Sequence, residues 1–245
     1  MQTTFDKSEA FVTSQFRDKT GFGPARRSGV VGPAITISHQ TGAGAYQVAE
    51  HLKELLETGE IEGVPKWTVL DRQLVEQALE EHHLPPALAN KIPEDKRSYV
   101  ADVLDDLFGL RPPSWVLVPQ IVETTVRLAE RGHVILIGRG AAIVTAQVPN
   151  VFHVRLVASL PTRIKRIKTW HNLASADAAR LIDREDRGRR RYIRANFHAR
   201  PDDDLLYHMV LNTDRFSFSD TASLIAEGAQ KYFQGSAVFQ PFVPY

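Results

Sequence analysis

The sequence predicts an α/β fold of three layers, a parallel β-sheet flanked by helices, and three observations carry that expectation. Short β-branched or apolar runs alternate with segments of helical period from about residue 34 to residue 233. Such alternation builds a parallel sheet through right-handed crossovers. The first unit reads strand, glycine loop, helix. The chain is also apolar enough to fill a core, at 43% hydrophobic and 24% charged residues, which excludes a disordered chain.

Residues 1–30 are polar, with GFGP and ARRSG near their end, and read as an N-terminal extension. Residues 31–235 form the predicted domain, and 236–245, with two prolines and several aromatics, a C-terminal tail. Within the domain, Ala34-Ile-Thr-Ile-Ser38 is a buried-strand signal bounded by Gly32-Pro33. It runs into Thr41-Gly-Ala-Gly44 and then a helix carrying Val48, Leu52, Leu55 and Leu56 at helical spacing. A second strand is expected at 67–70, ending in Asp71, with a helix through Leu74, Val75, Ala78 and Leu79. Residues 82–113 are charged, helical in places and punctuated by prolines. A helix from about 119 to 130 precedes the most hydrophobic strand, 133–137. Gly138-Arg-Gly140 and a short helix lead to a strand at 151–157, and a helix starts at 161–168. A long basic helix covers 174–197, a short strand 209–213, and the closing helix 220–233.

Several function classes are excluded or disfavoured. The chain has no cysteine, which rules out disulfides, thiolate zinc sites and thiol catalysis and fits a reducing compartment. No run approaches the ~18 apolar residues that would suggest a bilayer span, and the N-terminus lacks a signal-peptide pattern. The expectation is a cytoplasmic protein with no membrane partner. Net charge is +1, yet residues 180–200 are dense in arginine and 101–107 are acidic. A local basic patch on a nearly neutral chain points to a small anionic ligand rather than a long polyanion. The nine histidines form no metal-binding pattern.

In a parallel sheet, ligands sit beyond the carboxyl ends of the strands. The candidates are therefore the residues from 39 to 44, Asp71 with Arg72, Gly138 to Gly140, and Asn212 and Asp214. The first loop is His39-Gln40-Thr41-Gly42-Ala43-Gly44-Ala45-Tyr46. Glycines let backbone N–H groups converge on a phosphate, and the helix that follows adds a positive dipole end. Against the pattern Gly, four residues, Gly, Lys, Ser/Thr, only Gly44 matches; His39, Ala45 and Tyr46 replace the first glycine, the lysine and the hydroxyl residue. A tight strand-to-helix turn explains the same glycines without a ligand. Arg139 projects at the ligand edge, where its planar fork suits phosphate. In 183–194, Arg184, Arg187 and Arg191 lie three or four apart on a helix, and Asp183 and Asp186 can pair with them. A solvated charged helix accounts for this run; so does an arginine-bearing lid that closes over a transferring phosphoryl group. Asp71 reads equally as a substrate or magnesium contact and as a helix N-cap.

Together these pieces resemble the cytidylate kinase-like family, relatives of bacterial cytidylate kinase among the P-loop nucleoside monophosphate kinases, over about residues 34–233. ITISHQTGAGAYQ stands where those kinases carry a loop like IDGPSGAGKGT; residues 137–144 resemble an EGRDIGTVVFP-type segment. Arg184-Glu-Asp-Arg-Gly-Arg-Arg-Arg191 resembles a lid of the form RDDRDRNR. The loop also resembles the ISREYGSGG of the cytidylate kinase-like branch, which lacks the lysine, with His39 in place of its arginine. The resemblance implies a P-loop-type sheet with an arginine-rich helical lid at about 174–200, and ATP and Mg2+ as cofactors. It implies that Arg139, Arg184, Arg187 and Arg191 contact the monophosphate or the moving phosphoryl group, and that Asp186 orders the lid or the base. It puts Ala45 in the place of the catalytic lysine and Gly140 in that of an aspartate.

The favoured expectation is an ATP-dependent phosphotransferase acting on a nucleoside monophosphate or similar small acceptor. The alternative is a nucleotide-binding sensor or interaction protein with a degenerate phosphate loop. A nucleic-acid partner using residues 180–200 is disfavoured, because no aromatic platform is interleaved beyond Tyr192 and Phe197; a homo-oligomer is compatible with the sequence.

Overall fold

The computed structural model describes residues 32–57, 66–71 and 114–234. Five strands form one sheet: β1 (Ala34–His39), β2 (Thr68–Leu70), β3 (Val134–Ile137), β4 (Val151–Val157) and β5 (Met209–Asn212). Their spatial order is β2-β3-β1-β4-β5 and every pairing is parallel. The helices are α1 (Ala45–Glu57), α2 (Ser114–Arg131), α3 (Ala141–Val144), α4 (Leu160–His171), α5 (Ser175–Phe197) and α6 (Phe218–Phe233), with a short 3-10 turn at Asp204–Leu206. The expected three-layer parallel sheet is therefore present. The helix expected at 74–79, the stretch 82–113, the N-terminal extension and the C-terminal tail lie outside the described residues.

β1 is central, flanked by β3 and β4, so the chain's winding reverses about it and its carboxyl end opens onto the crevice where such sheets bind ligands. One sheet face is built from Ile35, Ile37, Ile135, Ile137, Phe152, Val154 and Leu156, packed under Val48 and Leu52 of α1 and Ile225, Ala229 and Phe233 of α6. Near the β2 end, the other face holds Ala34, Leu70, Val134, Leu136 and Val151 against Leu128 and Ala129 of α2. Burying both faces is what parallel strands require, and it explains their nearly unbroken apolar runs.

The second face changes character toward β4. Side chains alternate along a strand, so the register pairs Thr36↔His153 and Ser38↔Arg155 lie opposite the Ile–Phe core. Thr36 Oγ1 lies 2.8 Å from His153 Nδ1, and the His153 ring stacks on His208 with centroids 5.0 Å apart. The His153 imidazole is held down to about 4, first by burial and then by the neighbouring His208. Buried Arg155 sits one pleat further along the same face.

The long basic helix begins and ends close to the expected bounds. Its buried stripe is Ala178, Ile182, Gly188, Arg189 and Ile193, and Ala178 and Ile182 pack with Ile167 of α4. This packing fixes which side of α5 faces the sheet and which faces away from it.

Candidate active site at the carboxyl edge of the sheet

The glycine loop leaves β1 and enters α1 through two residues of positive φ, Gly42 at 83° and Gly44 at 89°. A Cβ on Gly44 would lie 2.3 Å from the ring of Phe218, so glycine is required there by conformation and by the close approach of α6. Gln40 N–H donates to the Leu156 carbonyl (3.1 Å), and Gln40 Oε1 accepts from Ala158 N–H (3.0 Å), tying the loop to β4. Ala43 N–H closes a turn onto the Gln40 carbonyl (2.9 Å). Ala43 and Ala45 are buried in the core cluster, whereas Tyr46 is half exposed. Burial, with Glu50 second, raises the Tyr46 phenol above its ordinary value.

Buried charge locks the outside of this loop. Asp186 of α5 accepts from Thr41 N–H at 2.9 Å with one oxygen and from Arg163 Nη1 at 2.7 Å with the other. Arg189, one turn on, donates through Nη1 to the His39 carbonyl (3.2 Å), Thr41 Oγ1 (3.3 Å) and Asp186 (3.3 Å), and its Nη2 lies 3.4 Å from His39 Nε2. Arg163 also donates to the carbonyls of Ala158 (3.1 Å) and Thr41 (3.3 Å). On the far side, Arg166 donates to the carbonyl of Gly42 (3.3 Å) and to Oγ1 (2.8 Å) and the carbonyl (2.7 Å) of Thr213, while Thr213 Oγ1 donates to the Ala43 carbonyl (2.9 Å). The Arg166 guanidinium lies over Phe218, 4.7 Å from the ring centroid. Three consecutive loop carbonyls are thus held by cations or a hydroxyl, and one loop N–H is held by a carboxylate.

Beside the loop, β3 ends in Gly138-Arg139-Gly140, three consecutive residues of positive φ (72°, 53° and 74°). Left-handed backbone is strained for arginine, and strain of this kind gathers at functional sites. Gly140 cannot carry a side chain: a Cβ there would sit 2.5 Å from Phe197. Arg139 is only 8% exposed and lines a pocket between the ends of β1 and β3 and the underside of α5. Ser38, Arg189, Tyr192 and Tyr207 share its wall, and no acidic residue is among the described residues that line it. The arrangement offers cations, hydroxyls and backbone N–H groups to an anion.

The model of the cytidylate kinase-like family matches residues 34–215, from the first residue of β1 to just past β5. The chain belongs to this cytidylate kinase-like family. Uronate isomerase from Corynebacterium glutamicum is 30% identical over 99 residues, 40% of this chain, and the match spans about a fifth (19%) of that protein's length. An uncharacterised protein from Eubacterium ventriosum superposes with a TM-score of 0.58 at 14% identity, over 83% of this chain and 99% of that one, and so shares the fold. Shikimate kinase from Acinetobacter baumannii, solved with shikimate, covers 81% of this chain and 93% of its own at 14% identity. Its TM-score of 0.42 is too low to bear on function.

In this cytidylate kinase-like chain the residues singled out from sequence do not all converge. His39, Gln40, Thr41, Gly42, Ala43, Gly44, Ala45 and Tyr46 form the loop, with Asp186 bonded to it and Arg139 beside it. Arg184, Arg187 and Arg191 lie on the exposed side of α5, and Arg187 pairs with Asp183 four residues back. Asp71 directly follows β2, and Arg72 lies outside the described residues. Asp214 accepts from Ser159 N–H (2.9 Å) at the start of α4, which holds its carboxyl below the usual range. Sequence reasoning passed over Arg163, Arg166, Arg189 and Thr213, which contact the loop directly. For the first two the signal was their spacing of three in a helix that follows a ligand-edge strand.

The donor set does not fit a magnesium ion held by this loop. The hydroxyl position is taken by Tyr46, and no three acidic or histidine side chains gather into a metal site among the described residues.

Proposed function

We propose that the chain is a phosphotransferase that moves the γ-phosphoryl group of ATP to a small anionic acceptor, such as a nucleoside monophosphate, held in the pocket beside Arg139. The observation that carries this reading is the strained, buried Arg139 between two glycines, at the ligand edge of the strand next to β1. An arginine kept in left-handed backbone and walled by Arg189 and hydroxyls is suited to stabilise charge on a transferring phosphoryl group. For a phosphate acceptor, an ionised oxygen forms the new P–O bond, the bond to the β-phosphate breaks, and ADP leaves with the electron pair; no base is needed. Catalysis would then rest on positioning and fixed charge. The nucleotide's phosphates would meet the N–H groups of Gly42, Gly44, Ala45 and Tyr46, and magnesium gets no ligand from the loop on this reading. Arg184, Arg187 and Arg191 would enter only through a movement of α5.

A non-catalytic nucleotide sensor is the second reading, favoured by two facts: Asp186 already takes the Thr41 N–H, and Ala45 is buried where a lysine would be. Calorimetry of ATP with wild type and Arg139→Ala, with and without magnesium, followed by a transfer assay over nucleoside monophosphates and sugar acids, separates the two. Binding plus transfer that collapses in Arg139→Ala supports the enzyme; binding without transfer supports the sensor. Absence of ATP binding overturns both.

A further inference from the structure

Among the described residues, a guanidinium buried in the sheet has no carboxylate in contact with it, and its position says what the pocket floor takes. Arg155 lies on β4 opposite Ser38 of β1, on the face whose neighbouring buried residues are Thr36 and His153. It is 7% exposed. Among the described residues its polar contacts are two hydroxyls at long range, Ser38 Oγ at 3.5 Å and Tyr207 Oη at 3.4 Å, with its carbon 5.5 Å from the Tyr207 ring centroid. The carboxylate that feels its charge, Asp202, is half exposed and bonded to Arg200. Two other buried arginines are matched by a carboxylate: Arg163 and Arg189 share Asp186. A buried cation without a carboxylate is costly unless an anion completes its shell.

The two hydroxyls that Arg155 touches both line the pocket. Tyr207 Oη gives its proton either to the Pro201 carbonyl (2.9 Å) or to Ser38 Oγ (3.1 Å). Ser38 Oγ accepts from Arg155 and shares a hydrogen bond with Tyr207 Oη, donating to it when Tyr207 gives its own proton to Pro201 and receiving from it otherwise. Because both hydroxyls line the pocket, either can turn its proton to an anion bound there. Arg139 and Arg189 stand on the same wall.

We infer that Ser38 and Tyr207, backed by Arg155, form an oxyanion subsite on the pocket floor that takes the carboxylate or phosphate of a small acceptor. The inference rests on the phosphotransferase reading only in calling the ligand an acceptor; the anion site stands on its own geometry. Ser38 and Tyr207 would touch the anion, and Arg155 would act through them as a positioning residue and a buried charge.

The test is calorimetric titration of the full chain with inorganic phosphate and, separately, with glucuronate, which distinguishes a phosphate from a carboxylate ligand. Wild type binds at least one probe. Tyr207→Phe and Ser38→Ala weaken that binding roughly three- to tenfold, and Arg155→Met about tenfold or more. Arg180→Ala, which removes an exposed cation on α5, changes nothing. Should Arg155→Met fail to fold, the two hydroxyl variants decide, since each removes one polar atom. Binding of both probes unchanged in both hydroxyl variants, as expected of phosphate held by the glycine loop, overturns the inference, as does no binding to wild type. The two readings fail separately. Probe binding that needs Ser38 and Tyr207, with no phosphoryl transfer to any acceptor, leaves the subsite and removes the enzyme. Transfer with an unchanged KM in Tyr207→Phe and Ser38→Ala leaves the enzyme and removes the subsite.

Discussion

Asp186→Ala is the substitution that tests most directly how the loop is held. The carboxylate accepts from Thr41 N–H (2.9 Å), Arg163 Nη1 (2.7 Å) and Arg189 Nη1 (3.3 Å), and its side chain is 14% exposed, against 10% for each arginine. Breaking a buried ion pair by removing one partner costs about 3–5 kcal/mol, because the remaining charge stays buried. Both arginines retain carbonyl acceptors, Ala158 and Thr41 for Arg163 and His39 for Arg189, which sets the expectation at the lower end, about 3 kcal/mol. For a chain of this size that lowers Tm by roughly 6–12 °C. Urea denaturation of Asp186→Ala, Arg163→Met and the double variant measures it; the cycle should give a coupling of at least about 1 kcal/mol. The Thr41 amide should also lose its hydrogen-exchange protection. Phosphate affinity at the loop should move the other way and rise, since the competing acceptor for that N–H is gone. A cost below about 1 kcal/mol with Thr41 still protected would refute the view that this buried triad fastens α5 to the loop.

Three further outcomes follow from the same geometry. His153 is held neutral, its value lowered from 6.5 to about 4 by burial and then by His208. The unfolded chain therefore binds the extra proton first as pH falls: stability is fully present above about pH 6.5 and about 3 kcal/mol is lost by about pH 4. A series of urea melts should find this slope, reduced by more than half in His153→Phe; a flat profile would mean that His153 is not buried in the folded state. Restoring the loop lysine by Ala45→Lys should destabilise by about 2–4 kcal/mol, because residue 45 is 5% exposed within the apolar cluster under α6; an unchanged Tm with tighter ATP binding would contradict that burial. Gly140→Ala should cost about 2–3 kcal/mol in thermal melts, combining left-handed backbone at φ 74° with a Cβ 2.5 Å from Phe197. An equal effect from Gly228→Ala, whose backbone is not left-handed and whose Cβ meets the flexible end of Met209 at 2.6 Å and the Phe152 ring at 3.2 Å, would argue against the backbone contribution.

The strands of this fold were legible because a doubly covered parallel sheet leaves runs such as Ile35-Thr-Ile37 and Val134-Ile-Leu-Ile137 with little choice of structure. The loop and Arg139 were legible because strand ends are where ligands sit. The facing of α5 was harder to read, although the signal was present. Ile182 and Ile193 are eleven residues apart and both buried, which on a 3.6-residue period puts them on one side, with Asp186 and Arg189 between them. Arg184 is two positions from Ile182 and falls near the opposite side, although its spacing from Arg187 and Arg191 and the lid resemblance had drawn attention to it. Sequence density counts arginines; only the apolar stripe tells which of them are turned inward.

Arg155 illustrates a different limit. The alternation Phe152-His153-Val154-Arg155-Leu156 states openly that one side of β4 is polar, and an antiparallel edge with one wet face would explain it at once. The parallel pairings remove that explanation, because β4 lies inside the sheet between β1 and β5. The polar side is instead covered by the segment carrying Tyr207 and His208, and its polar groups must be satisfied there. His153 is satisfied internally, by Thr36 and by stacking on His208. Arg155, one pleat closer to the ligand edge, is matched among the described residues by two hydroxyls that open onto the pocket. The same strip of sheet thus passes from a closed polar pair to an incomplete one as it nears the carboxyl end of β1, which is where a bound anion would complete it.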